Sequence, residues 1–189
     1  MTVRLQIFDP SPKPALLGKP LRRLLKLLGI KGGAWSITVV RDHEMKALHK
    51  RSMNLGTTTD VLTFDMSDPD EGTRRPLDLD TVICVDEARR RAEEFGHSVD
   101  HELLLYALHS LLHVQGYDDL TPGQFKRMHA REDELLTQIG MGPIFESKRE
   151  TQNAKRRTKG KTSLPIRKSK TRRPGAPVIT NRKSPRGAP

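Results

Sequence analysis

Residues 98–119 read Ser98-Val-Asp-His-Glu-Leu-Leu-Leu-Tyr-Ala-Leu-His109-Ser-Leu-Leu-His113-Val-Gln-Gly116-Tyr-Asp-Asp119. Leu103, Leu104, Leu105, Ala107, Leu108, Leu111, Leu112 and Val114 make this segment apolar almost all round. A helix of that kind belongs at the centre of a fold, because every face has to be covered. Ser98 is placed to cap its start, and Gly116 to end it in a left-handed conformation. Inside it, His109 and His113 stand four apart, which puts them on one face with Cβ atoms about 5–6 Å from each other. Two imidazoles so placed can share a metal ion. Buried without partners they would be costly. The turn Tyr117-Asp118-Asp119 brings the chain back toward the helix end and offers a carboxylate as third ligand. Two histidines and one carboxylate leave a fourth position for water, the open arrangement of a hydrolytic site. The plainer reading of the same residues is a hydrogen-bonded histidine pair in the core, with an aspartate capping the next helix.

Working outward, the pattern predicts a mixture of strands and helices. Val3, Leu5 and Ile7 alternate with Arg4, Gln6 and Phe8, as in a strand. Pro20 sits in the first turn of a helix that carries Leu21, Leu24, Leu25 and Leu28 on one face and stops at Gly29. Gly32-Gly33 reads as a turn, Trp35–Val40 as a second strand, and Asp42 as the cap of a helix reaching Met53. Val61–Met66 and Leu79–Val85 are the third and fourth strands, and the polar 67–76 stretch between them a surface loop. A helix rich in acids and arginines runs from Asp86 to Phe95. The last helix starts at the capping box Thr121-Pro122-Gly123-Gln124 and reaches Ile139. These elements predict one α+β domain, residues 1–147, with about four strands and about five helices, the histidine-bearing helix among them.

Charge divides the chain at the same place. Residues 148–189 hold 15 Lys/Arg and one acid, Glu150, a net of +14; residues 1–147 hold 19 bases and 22 acids, a net of −3. The overall charge of +11 therefore describes a tail. Net charge alone therefore gives no ground for reading the folded part as a basic nucleic-acid module. The tail has few large apolar residues and reads as disordered, either a solubilising extension or an electrostatic arm for nucleic acid. Cys84 is the only cysteine, so an intrachain disulfide and a four-cysteine zinc module are both excluded. There is no run of about 20 apolar residues and no secretory leader pattern, so the expectation is a soluble cytoplasmic protein with no membrane partner.

His109-Ser-Leu-Leu-His113-Val-Gln-Gly116-Tyr117-Asp118-Asp119 closely resembles the signature of the YbeY family, His-Gly-x-Leu-His-Leu-x-Gly-Tyr-Asp-His. Thr59-Asp60-Val61-Leu62-Thr63-Phe64 resembles the family's Thr-(Asp/Asn)-Val-Leu-Ser-Phe strand entry. Asp80-Thr81-Val82-Ile83-Cys84 resembles its Gly-Asp-Ile-x-Ile strand. The three come in family order and the resemblance covers roughly residues 1–145; the tail has no counterpart. It implies a single-strand-specific, metal-dependent endoribonuclease acting in 16S ribosomal RNA processing, ribosome maturation and quality control. It implies one zinc ion, held by His109, His113 and Asp119, and single-stranded RNA and the small ribosomal subunit or its proteins as partners.

Two positions depart from the family pattern. Asp119 stands where the third histidine would be, so the metal–ligand unit carries one positive charge fewer and its water should be less acidified. Aligning Leu48 and Thr59 on the family's Leu-Asn-x-x-x-Arg…Thr pattern puts His49 on the Asn and Met53 on the Arg that the resemblance assigns to phosphate chemistry. A thioether cannot stabilise a phosphorane charge, and Arg51 would point elsewhere on a helix. No general base can be named from the sequence. Two alternatives stand beside the nuclease. One is a non-catalytic ribosome-assembly factor with a structural metal. The other is a zinc peptidase, which needs a glutamate where Ser110 stands. His97, His101 and His129 have no motif behind them and read as ordinary surface or hydrogen-bonded residues.

Overall fold

The computed structural model describes residues 2–11, 15–67 and 76–145, and the backbone of residues 178–180. In chain order the elements are β1 (Arg4–Phe8), α1 (Gly18–Leu27), β2 (Gly33–Val40), α2 (Asp42–Met53), β3 (Val61–Asp65), β4 (Leu77–Cys84), α3 (Val85–Phe95), α4 (Val99–Val114), α5 (Pro122–Gln138) and β5 (Val178–Thr180). The α+β class, the helix count and the four domain strands agree with the sequence pattern. The sheet order is β1-β2-β4-β3-β5. β1, β2 and β4 run parallel, and β3 is antiparallel to β4. β5 pairs with β3 in parallel, Phe64 facing Ile179. Apart from these three residues, the expectation of a disordered tail at 148–189 lies outside the described residues.

The start of β2 shows why one predicted turn is a strand. Gly33 has φ 102°, and a Cβ there would lie 2.0 Å from the Leu77 carbonyl oxygen. Only glycine lets the two backbones approach that closely, so β2 begins two residues before Trp35 and pairs with the whole of β4.

α4 is the centre, as its composition requires. Every residue from Glu102 to His113 is buried. Its sheet side is fixed by polar contacts as well as leucines. Trp35 Nε1 donates to Thr81 Oγ1 at 2.9 Å, Thr81 and Ser110 hydroxyls lie 2.8 Å apart, and Thr63 Oγ1 donates to Ser110 Oγ at 3.0 Å. This chain joins β2, β4 and β3 to one turn of α4, and so sets the rotation of the helix. Ser110 then faces the sheet, while His109 and His113 reach toward α5 and the turn after α4.

The first turn of α2 is tied down from a distance. Asp42 is its first residue, and Arg41 stands at the cap position, its backbone N–H donating to Glu44 Oε2 at 2.9 Å. The Asp42 carboxylate instead receives Arg90 in two hydrogen bonds of 2.7 and 2.9 Å, and Cys84 Sγ at 3.1 Å. The Arg90 hydrogen bond leads in holding the Asp42 carboxyl well below its ordinary range. Burial leads in pushing the Cys84 thiol up to about 11, with Asp42 adding to it. Cys84 is core, as a lone cysteine in an apolar strand should be.

Candidate metal centre

His109 and His113 project from the last two turns of α4. Gly116, at φ 87°, ends the helix and turns the chain. The turn is stabilised by Asp118, whose Oδ1 accepts from the Asp119 backbone N–H at 2.8 Å. That leaves the Asp119 side chain to point back at the histidines. One donor atom from each of His109, His113 and Asp119 lies within 4.8 Å of the others. Asp119 Oδ2 is 4.0 Å from His109 Nε2 and its side chain is 7% exposed. Its Oδ1 is buried and has no hydrogen-bond partner among the described residues. The three residues singled out in the sequence are thus brought together, and Asp118 is confined to the turn.

The protonation of the pair follows from its neighbours. His109 Nδ1 lies 2.7 Å from Glu132 Oε1, and His113 Nδ1 lies 3.1 Å from the Tyr117 carbonyl oxygen. A carboxylate and a carbonyl only accept, so both Nδ1 atoms carry hydrogen. In the neutral pair both Nε2 atoms then present lone pairs, which face each other at 3.0 Å, and a proton on either one makes the contact a hydrogen bond. Two lone pairs at that distance repel unless a proton or a metal cation lies beside them. Burial alone would lower the pKa of His109, but the hydrogen bond and charge of Glu132 outweigh it and raise the value. For His113 burial leads and the nearby His109 adds to it, so its pKa falls. Glu132 is wholly buried, and burial would raise its pKa; the hydrogen bonds from His109 and His129 outweigh this and hold it low, so it stays ionised.

Glu132 and His129 adjoin the three donors, and motif reading did not single them out. Both lie on α5, and Glu132 is 23 residues beyond His109. One sequence signal did point to Glu132. It shares the apolar face of α5 with Met128, Leu135 and Leu136, all buried, and an acid on such a face needs a partner. A ligand histidine that gives its second N–H to a carboxylate is the usual outer arrangement of a metal site.

The remaining sequence candidates fall elsewhere. His97 Nε2 pairs with Glu102 near the start of α4. His101 neighbours the His97 ring at 6.3 Å. His49 is buried with Nδ1 at 2.7 Å from the Thr57 carbonyl oxygen. Met53 ends α2 and is 38% exposed. Arg51 folds back on its own helix, Nε lying 3.4 Å from the Ala47 carbonyl oxygen. Ser110 is turned into the sheet, so the position a peptidase would fill with its base does not reach the centre.

Comparison with known proteins agrees with this geometry. Residues 17–140 match the family model described as YbeY, Endoribonuclease YbeY. A Myxococcus xanthus protein named Endoribonuclease YbeY is 37% identical over 121 residues, 64% of this chain but only 41% of that protein's length. One of the same name from Bacillus licheniformis is 32% identical over 140 residues, covering 70% of this chain and 89% of the relative. A solution structure of a Thermotoga maritima protein superposes with a TM-score of 0.50 at 20% identity, covering 88% of this chain and 100% of that one, a likeness of fold. The matched segment runs from the start of α1 to the end of α5 and contains all three converging donors. On that match the chain belongs to the YbeY family.

Proposed function

We propose that this protein is a metal-dependent endoribonuclease that cuts single-stranded RNA, with 16S ribosomal RNA and its precursors in the cytoplasm as substrate. The observation that carries the reading is the convergence of His109 Nε2, His113 Nε2 and the buried Asp119 carboxylate, with both histidines held in the tautomer that bares Nε2. The relatives' names, Endoribonuclease YbeY, support the reaction class.

His109, His113 and Asp119 would hold the ion, and two imidazoles with one carboxylate suit Zn2+. A divalent ion in this place supplies Lewis acidity, acidifying water and drawing charge from a phosphodiester. The chain's own residues do the rest. Glu132 and the Tyr117 carbonyl orient the two imidazoles, and the Ser110 contacts fix the rotation of α4 that carries them. No helix among the described residues is long and apolar enough to cross a membrane. The +14 segment 148–189 supplies what a domain of net −3 lacks, a salt-sensitive attraction to RNA or to the small ribosomal subunit.

Met53 favours a second reading. With no cation at that position, the protein would be a ribosome-assembly factor whose metal is structural. The deciding experiment measures zinc by elemental analysis, and cleavage of a single-stranded RNA, for the full chain and His113→Ala. The expected result is about one ion per chain and cleavage for the first, and loss of both for the variant or after chelation. A metal-loaded chain that binds RNA without cutting it would establish the assembly-factor reading instead. A chain cut after Ser147 should keep the metal and show a flatter dependence of RNA binding on salt.

A further inference from the structure

We infer that His129 is a positioning residue for the metal centre, acting on His109 through Glu132. Glu132 is fully buried, and its two oxygens are divided between two histidines. Oε1 accepts from His109 Nδ1 at 2.7 Å, and Oε2 accepts from His129 Nδ1 one turn earlier on α5. A buried carboxylate with one oxygen unpaired is unfavourable and is free to turn about its last bond. The His129 N–H removes that freedom, so the carboxylate plane is fixed at the angle that meets His109.

His129 is itself held. Its ring lies 4.0 Å from Phe145 at 8°, and Phe125 meets it edge-on at 4.2 Å. His109 lies nearly parallel beyond it, with ring centroids 6.2 Å apart. These rings fix where the N–H points. His129 is not one of the three converging donors, and its Nδ1 is committed to Glu132. It therefore acts through another residue, by orientation.

Two substitutions separate this role from simple packing. His129→Phe keeps an aromatic ring against Phe145 and Phe125 but removes the N–H. His129→Asn removes the ring but keeps an N–H close to the position of Nδ1. Zn2+ affinity is measured by competition with a chromophoric chelator. The tautomer of His109 in the metal-free protein is read by nitrogen-15 NMR, and thermal unfolding shows that each variant is folded.

The expected result is Zn2+ affinity weakened about 10-fold or more in His129→Phe and within about threefold of the parent in His129→Asn. His109 should hold the Nδ1–H tautomer in the parent and in His129→Asn, and become a mixture in His129→Phe. The reverse order, or a His129→Phe that matches the parent in both readouts, would overturn the inference. The zinc readout rests on the metal reading above, whereas the tautomer readout does not. A parent chain that binds no Zn2+ would end the metal reading and leave the tautomers to decide the role of His129. If His129→Phe does not fold, His129→Leu replaces it, since it too fills the space against Phe145 and Phe125 without an N–H. It should show the same loss and the same mixture.

Discussion

The two sides of α4 carry polar groups of similar number and burial, but arranged to opposite ends. On the sheet side, Trp35, Thr81, Ser110 and Thr63 form a neutral chain in which the indole and every hydroxyl has a protein partner. On the α5 side, Glu132 orders the histidines, yet the inner nitrogens satisfy each other only with a proton between them. Two Nε2 atoms face at 3.0 Å and Asp119 Oδ1 has no partner among the described residues. Buried polar groups that complete one another hold a fold together. Buried acceptors that converge need a proton or a cation among them, and that is what distinguishes a site from a scaffold. His109 and Ser110 are adjacent in sequence, so the contrast is made by the rotation of one helix.

The contrast can be broken from the scaffold side with the largest effect. Ser110→Ala leaves the Thr63 and Thr81 hydroxyls short of a partner in a site that is almost fully buried. It should cost about 1–3 kcal/mol in urea unfolding. Adding Thr63→Val should recover part of that loss, because both ends of one contact are then removed together. If Ser110→Ala instead lowers Zn2+ binding at unchanged stability, the two sides are not separable and the comparison fails.

From the site side, Asp119→His restores a neutral ligand and sharpens the question of what the carboxylate does. With three imidazoles the metal–ligand unit regains one positive charge. The pH–rate curve of RNA cleavage should then move to lower pH, on the order of one unit. Identical curves for the two proteins would show that the charge of Asp119 is not felt by the reacting water.

The smallest effect tests the claim that only enclosed polar groups matter greatly. Asp42 and Arg90 make two good hydrogen bonds, but their side chains are 32% and 48% exposed. Asp42 titrates below its ordinary value of 3.8. Its contribution is therefore present above that pH and is lost as the pH falls through the lower, folded value. Asp42→Asn should cost under about 1 kcal/mol at pH 7, in keeping with a half-exposed pair. The difference from the parent should shrink steadily as the pH falls below 3.8. A gap that persists in acid would mean the pair works by packing rather than charge.

Much of this molecule is written locally. Thr121 and Gln124 form the capping box that their spacing announces. Ser98 accepts from the His101 N–H as a cap should. The i,i+4 histidines, the left-handed Gly116 and the returning aspartate all depend on residues within one or two turns of each other. Backbone geometry and side-chain periodicity act over that range, so the three converging donors were legible before any coordinates. Gly33 was misread as a turn because its requirement comes from Leu77, which lies on another strand.

The sequence by itself determined the order of elements, the burial of α4, the uneven charge on either side of residue 147, and three of the groups at the centre. Tertiary structure decided which oxygen meets which nitrogen. Glu132 reaches His109 only because α5 packs across α4 at one rotation. Ser110 turns inward only because Thr63 and Thr81 stand beside each other on β3 and β4. Hydrogen bonds act over about 3 Å, while the residues that make these are 23 to 47 positions apart. No periodicity in the chain carries that distance, and only the packed fold fixes it.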